Sequence, residues 1–157
     1  MINSNSLRVL HQLHNKLDIG EVNWAVTGSL DFALQGMDVD GYGIDIQTDK
    51  SGAYEIDHWF SRYVVRNVEF SSSEKIRSHF GELSIDGIKV EIMGDIQKYL
   101  PDGNWEDPPD IYSNRRFIDY AGLSIPVISL ESECEAYYHL GSMEKVDQVR
   151  RYLDQRV

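Results

Sequence analysis

The stretch NWAVTGSLDFALQGMDVDGYGIDIQT, residues 23–48, decides the fold. A short apolar run predicts a β-strand over residues 23–26. The turn Thr27-Gly28-Ser29 follows, and its serine is suited to cap a helix that runs to about Gln35. A glycine-rich segment then breaks the pattern, and residues 44–48 are predicted as a second strand. A strand, a helix and another strand therefore follow one another closely.

The opening segment and two hairpins give the clearest patterns outside this stretch. Leucines at positions 7, 10, 13 and 17 recur at helical spacing and predict an amphipathic helix that Gly20 ends. Two alternating runs meet at Asp86-Gly87 and predict a β-hairpin over residues 81–93 with a primed turn. A smaller hairpin is predicted around Ala121-Gly122.

Helices and strands are interleaved along the rest of the chain. Residues 52–63 are predicted as a helix and residues 64–71 as a strand. Residues 71–74, Ser-Ser-Ser-Glu, predict the start of a short helix through a capping box. Residues 130–153 are predicted to be helical with a break near Gly141-Ser142.

These elements predict a mixed α/β (α+β) fold, in which helices flank a mixed sheet and further helices follow at the C-terminus. The chain has 157 residues, the size of one ordinary domain. We therefore expect a single domain over residues 1–157, with a core at about 22–95 and a C-terminal helical part at about 130–157. Residues 101–110, with three prolines and four acids, are predicted as a long loop.

The composition excludes several partners. The net charge is −11 and no stripe of lysine or arginine offsets it, so nucleic acid is not an expected partner. Cys134 is the only cysteine, which fits a reducing compartment. The pattern of a signal peptide is absent from the first residues and no apolar run is long enough for a membrane span, so we predict a cytoplasmic protein without a membrane partner.

Strand alternation predicts where acidic side chains meet. In residues 43–47 the two isoleucines point to one face, so Asp45 and Gln47 point to the other. In Val90-Glu91-Ile92 the aliphatic residues likewise send Glu91 the opposite way. If both strands share a sheet, these side chains emerge together, and their oxygens suit Mg²⁺. The alternative is that they are solvent-facing residues of half-exposed strands.

The turn before the second predicted helix adds an anion site. Backbone N–H groups at a helix start bind anions, and Gly28 permits close approach. An ordinary turn with an N-cap is the simpler interpretation of the same residues. Together with the carboxylates, however, the turn describes a triphosphate cradle beside a metal site, as phosphoryl and nucleotidyl transfer require.

Three segments jointly resemble the signature of the polymerase-beta-type nucleotidyltransferase superfamily. They are residues 24–29 with the Gly-Ser turn, residues 43–47, and residues 90–92 with a later carboxylate. The resemblance covers about residues 22–95. The C-terminal helices, with residues 141–145 (GSMEK), look like those of small bacterial members related to abortive-infection and antibiotic-modifying enzymes.

The resemblance implies a role for each matching residue. Gly28 and Ser29 would hold the phosphates of a nucleoside triphosphate, and Lys145 would reach a phosphate, although a solvated helix charge is the simpler interpretation of that lysine. Asp45 and Glu91 would be the catalytic carboxylates and would hold Mg²⁺ or Mn²⁺, with Gln47 as a further oxygen ligand. Glu91 would also assist deprotonation of the acceptor hydroxyl, on a small molecule or a protein.

Gly43 departs from the family pattern. The first metal-binding aspartate of the family belongs at this position, and glycine offers no side-chain ligand. Asp40, Gln47 or Asp49 would have to supply an oxygen, and alternation puts only Gln47 on the correct face. The sequence therefore predicts either a nucleotidyltransferase with an altered metal site or a nucleotide-binding or partner-binding protein without catalysis.

Overall fold

The computed structural model describes residues 2–156. These residues form a seven-stranded mixed sheet and six α-helices. The helices are Ser4–Ile19 (α1), Gly28–Leu34 (α2), Lys50–Trp59 (α3), Ile111–Asn114 (α4), Leu130–His139 (α5) and Met143–Gln155 (α6). The strands are Trp24–Thr27 (β1), Ile44–Thr48 (β2), Val64–Ser72 (β3), Ile76–Ile85 (β4), Ile88–Lys98 (β5), Arg115–Tyr120 (β6) and Leu123–Ile128 (β7). The predicted fold class is confirmed. Residues 1 and 157, which bound the predicted domain and C-terminal part, lie outside the described range.

Helix α1 follows its leucine spacing. Asn3 caps it, because Asn3 Oδ1 accepts hydrogen bonds from the backbone N–H groups of Asn5 at 2.9 Å and Ser6 at 3.2 Å. Gly20 occupies the C-terminal cap. The buried stripe of the helix contains the leucines at positions 10, 13 and 17, each fully buried. The predicted opening helix is confirmed.

The order of strands brings the three segments that resemble the superfamily signature to the centre of the sheet. The order is β3-β4-β5-β2-β1-β7-β6. Strand β2 pairs in parallel with β5 and antiparallel with β1, and β1 pairs in parallel with β7. The Gly-Ser turn at the end of β1 and the predicted carboxylates of β2 and β5 therefore lie on three adjacent strands.

Both predicted hairpins form with the expected turns. Asp86 has φ +50° and Gly87 has φ +79°, so both central residues are left-handed, as a type I′ turn requires. Ala121 and Gly122 repeat this geometry with φ +51° and φ +81°. Strands β4 and β5 extend beyond the predicted range of 81–93 because β4 also pairs with β3.

The start of helix α2 differs from the prediction. The helix begins at Gly28, so Ser29 is its second residue and not its cap. Thr27 occupies the cap position but makes no side-chain hydrogen bond to the helix. Its hydroxyl instead donates to the carboxylate of Glu133 in α5. A residue from a distant helix thus replaces the local cap that the sequence suggests.

The serine-rich segment at residues 71–74 does not start a helix, and this prediction is wrong. Strand β3 continues to Ser72, and β4 begins at Ile76. Ser73 holds the connection, because its Oγ accepts the backbone N–H of Ile76 at 3.2 Å. Pairing between two long strands outweighs the local capping preference of the serines.

The two faces of the sheet have different neighbours. The aliphatic side chains of β2 and β5 pack with α1 and α3 in the main core, which includes Leu13, Ile44, Ile46, Ile56, Val90 and Ile92, all fully buried. A second cluster joins α2 to α5 and α6 through Phe32, Leu130 and Val149. None of the helices within residues 2–156 is long and apolar enough to cross a membrane.

Candidate functional site

Asp45 and Glu91 lie directly beside each other on neighbouring strands. In the parallel ladder between β2 and β5, Asp45 is the register partner of Glu91, and Gln47 is the partner of Met93. Partners in a ladder point to the same face of the sheet. The structure therefore brings together the two carboxylates that the sequence placed on one face, while their metal-binding and catalytic roles stay predictions.

Gly28 packs against the carboxylate of Asp45. Its φ is +76°, a left-handed conformation that favours glycine. A Cβ atom at this position would lie 2.6 Å from Asp45 Oδ2, closer than any real contact. Position 28 therefore requires glycine for two reasons, its backbone conformation and the close approach of the Asp45 carboxylate. Ser29 is exposed next to it.

The electrostatics of Asp45 reflect crowding of negative charge. Burial, and then the charge of Glu91, raise the pKa of Asp45 from 3.8 to about 6. The ammonium groups of Lys89 and Lys145 oppose this rise. A cation between Asp45 and Glu91 would stabilise the ionised form of both carboxylates.

Two lysines accompany the carboxylates. Lys89 Nζ lies 3.0 Å from Glu91 Oε1 and 3.8 Å from Glu82 Oε1, and the bond to Glu91 raises the pKa of Lys89. Lys145 Nζ lies 4.8 Å from the centre of the Tyr137 ring and influences Asp45 from helix α6. The predicted phosphate-binding lysine is thus exposed yet close to the site.

Gln47 lines two neighbouring cavities. One, of about 170 Å³, is lined by Gly28, Asp45, Gln47, Glu133 and Tyr137 among others. The second, of about 270 Å³, shares Gln47, Lys98, Glu133 and Ala136 with the first. Asp45 thus lies at the wall of the smaller cavity, and Gln47 lies at the wall of both.

Glu133 is a site residue that the sequence analysis missed. It lies in α5, is 3% exposed, and accepts hydrogen bonds from the Thr27 hydroxyl and, at 2.9 Å, from the backbone N–H of Gly28. The available signal was its position on the apolar stripe of α5, three residues after Leu130 and four before Tyr137. An acid at a buried helical position requires a partner, and here the partner is the β1–α2 junction.

Asp31 shares the buried environment of Glu133. Burial and the charge of Glu133 raise the pKa of Asp31, and burial also raises the pKa of Glu133. The Gln35 amide donates to Asp31 Oδ1 at 2.6 Å, and a hydrogen bond between the Asp31 and Glu133 side chains adds to the rise in the pKa of Asp31 and opposes the rise in the pKa of Glu133. We assign a proton to Asp31, so that this pair carries one negative charge and not two.

Lys98 also escaped the sequence analysis, because a β-bulge turns it toward the cavities. Asp95 has φ +49°, and the β4–β5 register shifts between Arg77 and His79. One extra residue in β5 reverses the faces to which the following side chains of the strand point. Lys98 is 8% exposed, lines both cavities and forms an ion pair with Glu106 at 2.6 Å.

The predicted metal ligands include only two carboxylates, those of Asp45 and Glu91. Within residues 2–156 no group of three histidine, cysteine, aspartate or glutamate side chains is arranged to hold one metal ion. Position 43 nevertheless has room, because a Cβ on Gly43 would lie 3.6 Å from the carbonyl oxygen of Lys89, an ordinary contact. The structure therefore has space for an aspartate side chain at position 43.

Comparisons with known proteins give both family and fold. The family model of aminoglycoside-2''-adenylyltransferase matches residues 9–151. A Thermotoga maritima protein provisionally assigned as a nucleotidyltransferase is 56% identical, with a TM-score of 0.87 over 99% of this chain and 96% of that one. No curated protein matches the sequence at a significant level.

Two more distant structures share the fold. The lincosamide antibiotic adenylyltransferase LnuA, with lincomycin bound, has 14% identity and a TM-score of 0.58 over 95% of this chain and 97% of that one. ANT(2'')-Ia, in complex with adenylyl-2''-tobramycin, has 12% identity and a TM-score of 0.63 over 96% of this chain and 90% of that one.

The predicted resemblance to nucleotidyltransferases, including antibiotic-modifying ones, is confirmed. Family and fold support a nucleotidyl transfer function, and the family generally uses a nucleoside triphosphate and a divalent metal. Because the family model covers most of its length, the chain belongs to the aminoglycoside-2''-adenylyltransferase family.

Proposed function

We propose that this protein binds a nucleoside triphosphate with Mg²⁺ or Mn²⁺ and transfers the nucleotidyl group to a hydroxyl of a small molecule or a protein. The observation that supports this most strongly is the pairing of Asp45 with Glu91, with Gly28 against the Asp45 carboxylate. The acceptor oxygen would attack the α-phosphorus in line, and pyrophosphate would leave. The two small-molecule complexes described above, of LnuA and ANT(2'')-Ia, favour a small-molecule acceptor.

The residues present fit a divalent cation. Asp45 and Glu91 would be adjacent oxygen ligands, and burial together with the charge of Glu91 raises the pKa of Asp45. Gln47 contributes a neutral oxygen donor two residues along β2. When bound, the cation would neutralise charge on the triphosphate during transfer.

The chain's own groups have separate tasks in this proposal. Gly28 lets the Asp45 carboxylate lie close to the backbone of the β1–α2 junction, and the exposed Ser29 offers a hydroxyl and a backbone N–H to a phosphate. The N–H of Gly28 itself already donates to Glu133. Lys145 is close enough to Asp45 to add positive charge. Glu91 accepts the proton of the acceptor hydroxyl, which makes the oxygen nucleophilic.

A thermal-shift experiment tests the binding step. Each of the four common nucleoside triphosphates is added with and without Mg²⁺, and we expect stabilisation that requires both components. A ligand at 100 times its dissociation constant stabilises by about 2.7 kcal/mol. Glu91→Gln should lose this effect, whereas Asp119→Asn, at an exposed carboxyl on β6, should keep it. No stabilisation by any triphosphate would contradict the proposal.

The second candidate is a nucleotide-binding or partner-binding protein without catalysis, and Gly43 favours it. Replacement Gly43→Asp distinguishes the two, because the space at this position admits a side chain. If the site is placed correctly, the added carboxylate should raise Mn²⁺ affinity at least about tenfold, equivalent to about 1.4 kcal/mol. Gly43→Asn is the matched control, of equal size but uncharged. Isothermal calorimetry measures both, and equal affinities for wild type and Gly43→Asp would argue against the site.

A further inference from the structure

We propose that Glu133 is a positioning residue for the active site, which holds the β1–α2 junction against Asp45 through two hydrogen bonds from helix α5. The inference deepens the proposed function and rests on it, because it assigns a task within the same site. It also makes α5 part of the site, although α5 lies outside the segments that resemble the superfamily signature.

The contact itself is complete and buried. Glu133 Oε2 accepts the N–H of Gly28 at 2.9 Å, Glu133 Oε1 accepts the hydroxyl of Thr27, and the side chain is 3% exposed. Both carboxylate oxygens therefore contact the two residues that end β1 and begin α2. A bidentate carboxylate in a buried environment fixes the direction of its donors more tightly than a single hydrogen bond.

The junction that Glu133 holds is in contact with Asp45. Thr27 is the ladder partner of Asp45, and the position of a Cβ on Gly28 lies 2.6 Å from Asp45 Oδ2. Gly28 adopts φ +76°, and the bond to its N–H selects this conformation among the several that glycine can reach. A shift of the junction would therefore open or close the space around the Asp45 carboxylate.

A competing interpretation makes Glu133 an internal anion that occupies the phosphate position and leaves when a nucleotide binds. The two interpretations predict opposite effects of removal. If Glu133 positions the site, its loss weakens metal binding. If Glu133 competes with phosphate, its loss tightens triphosphate binding.

Three variants of the full chain test the inference. Glu133→Ala removes both hydrogen bonds. Glu133→Gln keeps them, because its carbonyl accepts from Gly28 and its NH₂ group donates to the Thr27 hydroxyl, which can also accept. Glu131→Ala is the matched control, at an exposed glutamate of the same helix. Mn²⁺ alone is the probe for the dissociation constant, and amide hydrogen exchange reports on Gly28.

We expect the Gly28 amide to exchange slowly in the wild type and in Glu133→Gln, and at least about tenfold faster in Glu133→Ala. The Mn²⁺ dissociation constant should rise about tenfold or more in Glu133→Ala, in the range for residues that orient metal ligands. It should stay within about threefold of wild type in Glu133→Gln, because the hydrogen bonds and not the charge are required. Glu131→Ala should match wild type. If Glu133→Ala does not fold, the isosteric Thr27→Val removes one donor and should change Mn²⁺ binding in the same direction.

Rapid exchange of the Gly28 amide in the wild type, or unchanged Mn²⁺ affinity in Glu133→Ala, would overturn the inference. Equal losses of Mn²⁺ affinity in Glu133→Ala and Glu133→Gln would also overturn it. So would tighter triphosphate binding in Glu133→Ala. If the wild type binds neither Mn²⁺ nor a triphosphate, the proposed function fails. The ¹³C resonance of the Asp45 carboxyl then decides the positioning role, because it should move in Glu133→Ala and stay in place in Glu133→Gln and Glu131→Ala.

Discussion

Replacement of Asp45 by asparagine should make the metal-free protein more stable at neutral pH. Burial and the charge of Glu91 raise the pKa of Asp45 from 3.8 to about 6, whereas the unfolded chain keeps the ordinary value. Between these values the folded protein binds a proton that the unfolded chain releases, so stability falls as the pH rises through this range. Ionised Asp45 therefore costs stability above about pH 6, and the cost is absent below about pH 4.

The magnitude follows from the size of the shift. About two pKa units correspond to about 3 kcal/mol at 1.36 kcal/mol per unit. Partial solvent access to this half-buried carboxyl reduces the expected gain in unfolding free energy to about 1–2 kcal/mol. For a chain of this size that is a rise of about 3–6 °C in melting temperature. Asparagine keeps the shape of the side chain and removes only the charge.

Urea denaturation without metal at pH 7.5 and at pH 4 measures the effect. We expect Asp45→Asn to exceed wild type at pH 7.5 and to approach it at pH 4. Asp119→Asn, at an exposed carboxyl, should not differ from wild type at either pH. With Mg²⁺ added, the wild type should gain stability and Asp45→Asn should not. An asparagine variant that is less stable than wild type at pH 7.5 would refute the reasoning.

Three further predictions concern the walls of the site. Gly28→Ala should lower the unfolding free energy by about 1–2 kcal/mol, because φ is left-handed at this position and the new Cβ would clash with Asp45. Urea denaturation measures this loss, and Mn²⁺ titration should show weaker metal binding. Lys145→Met should raise the pKa of Asp45 further, because the Lys145 ammonium lowers it, and an unchanged ¹³C titration of the Asp45 carboxyl would contradict this. Lys98→Met should cost about 2 kcal/mol, because Glu106 loses its ammonium partner and keeps only the hydrogen bond from the backbone N–H of residue 98. The double variant with Glu106→Gln should recover part of that loss in urea denaturation.

Local rules predicted the parts of the site that lie on regular strands. Alternation alone places Asp45 and Glu91 opposite their aliphatic neighbours, and a shared aliphatic core then puts both carboxylates on one face. The turns at Asp86-Gly87 and Ala121-Gly122 were also predictable, because few residues tolerate two successive left-handed conformations.

The parts that escaped prediction depend on contacts between distant segments. Glu133 reaches the β1–α2 junction because α5 packs against α2. Helix α2 begins at Gly28, so Ser29 does not occupy the cap position that the sequence predicted. Lys98 follows a bulge at Asp95, and nothing in the alternation of β5 indicates that its register changes there. Sequence patterns describe single elements well, whereas these residues owe their positions to packing between elements.

The charges around Asp45 indicate how the proposed nucleotide site would differ from one with an aspartate at position 43. Two carboxylates face two lysines, since Lys89 bonds to Glu91 and Lys145 lowers the pKa of Asp45. A third carboxylate would add repulsion that only a bound cation could offset, so Gly43 makes the metal-free site less costly in stability. With glycine at position 43 the site also has fewer ligands for a cation. Lys89 and Lys145 would then supply more of the positive charge that faces the triphosphate. We therefore expect nucleotide binding here to depend less on the cation, and more on the lysines, than it would with an aspartate at position 43.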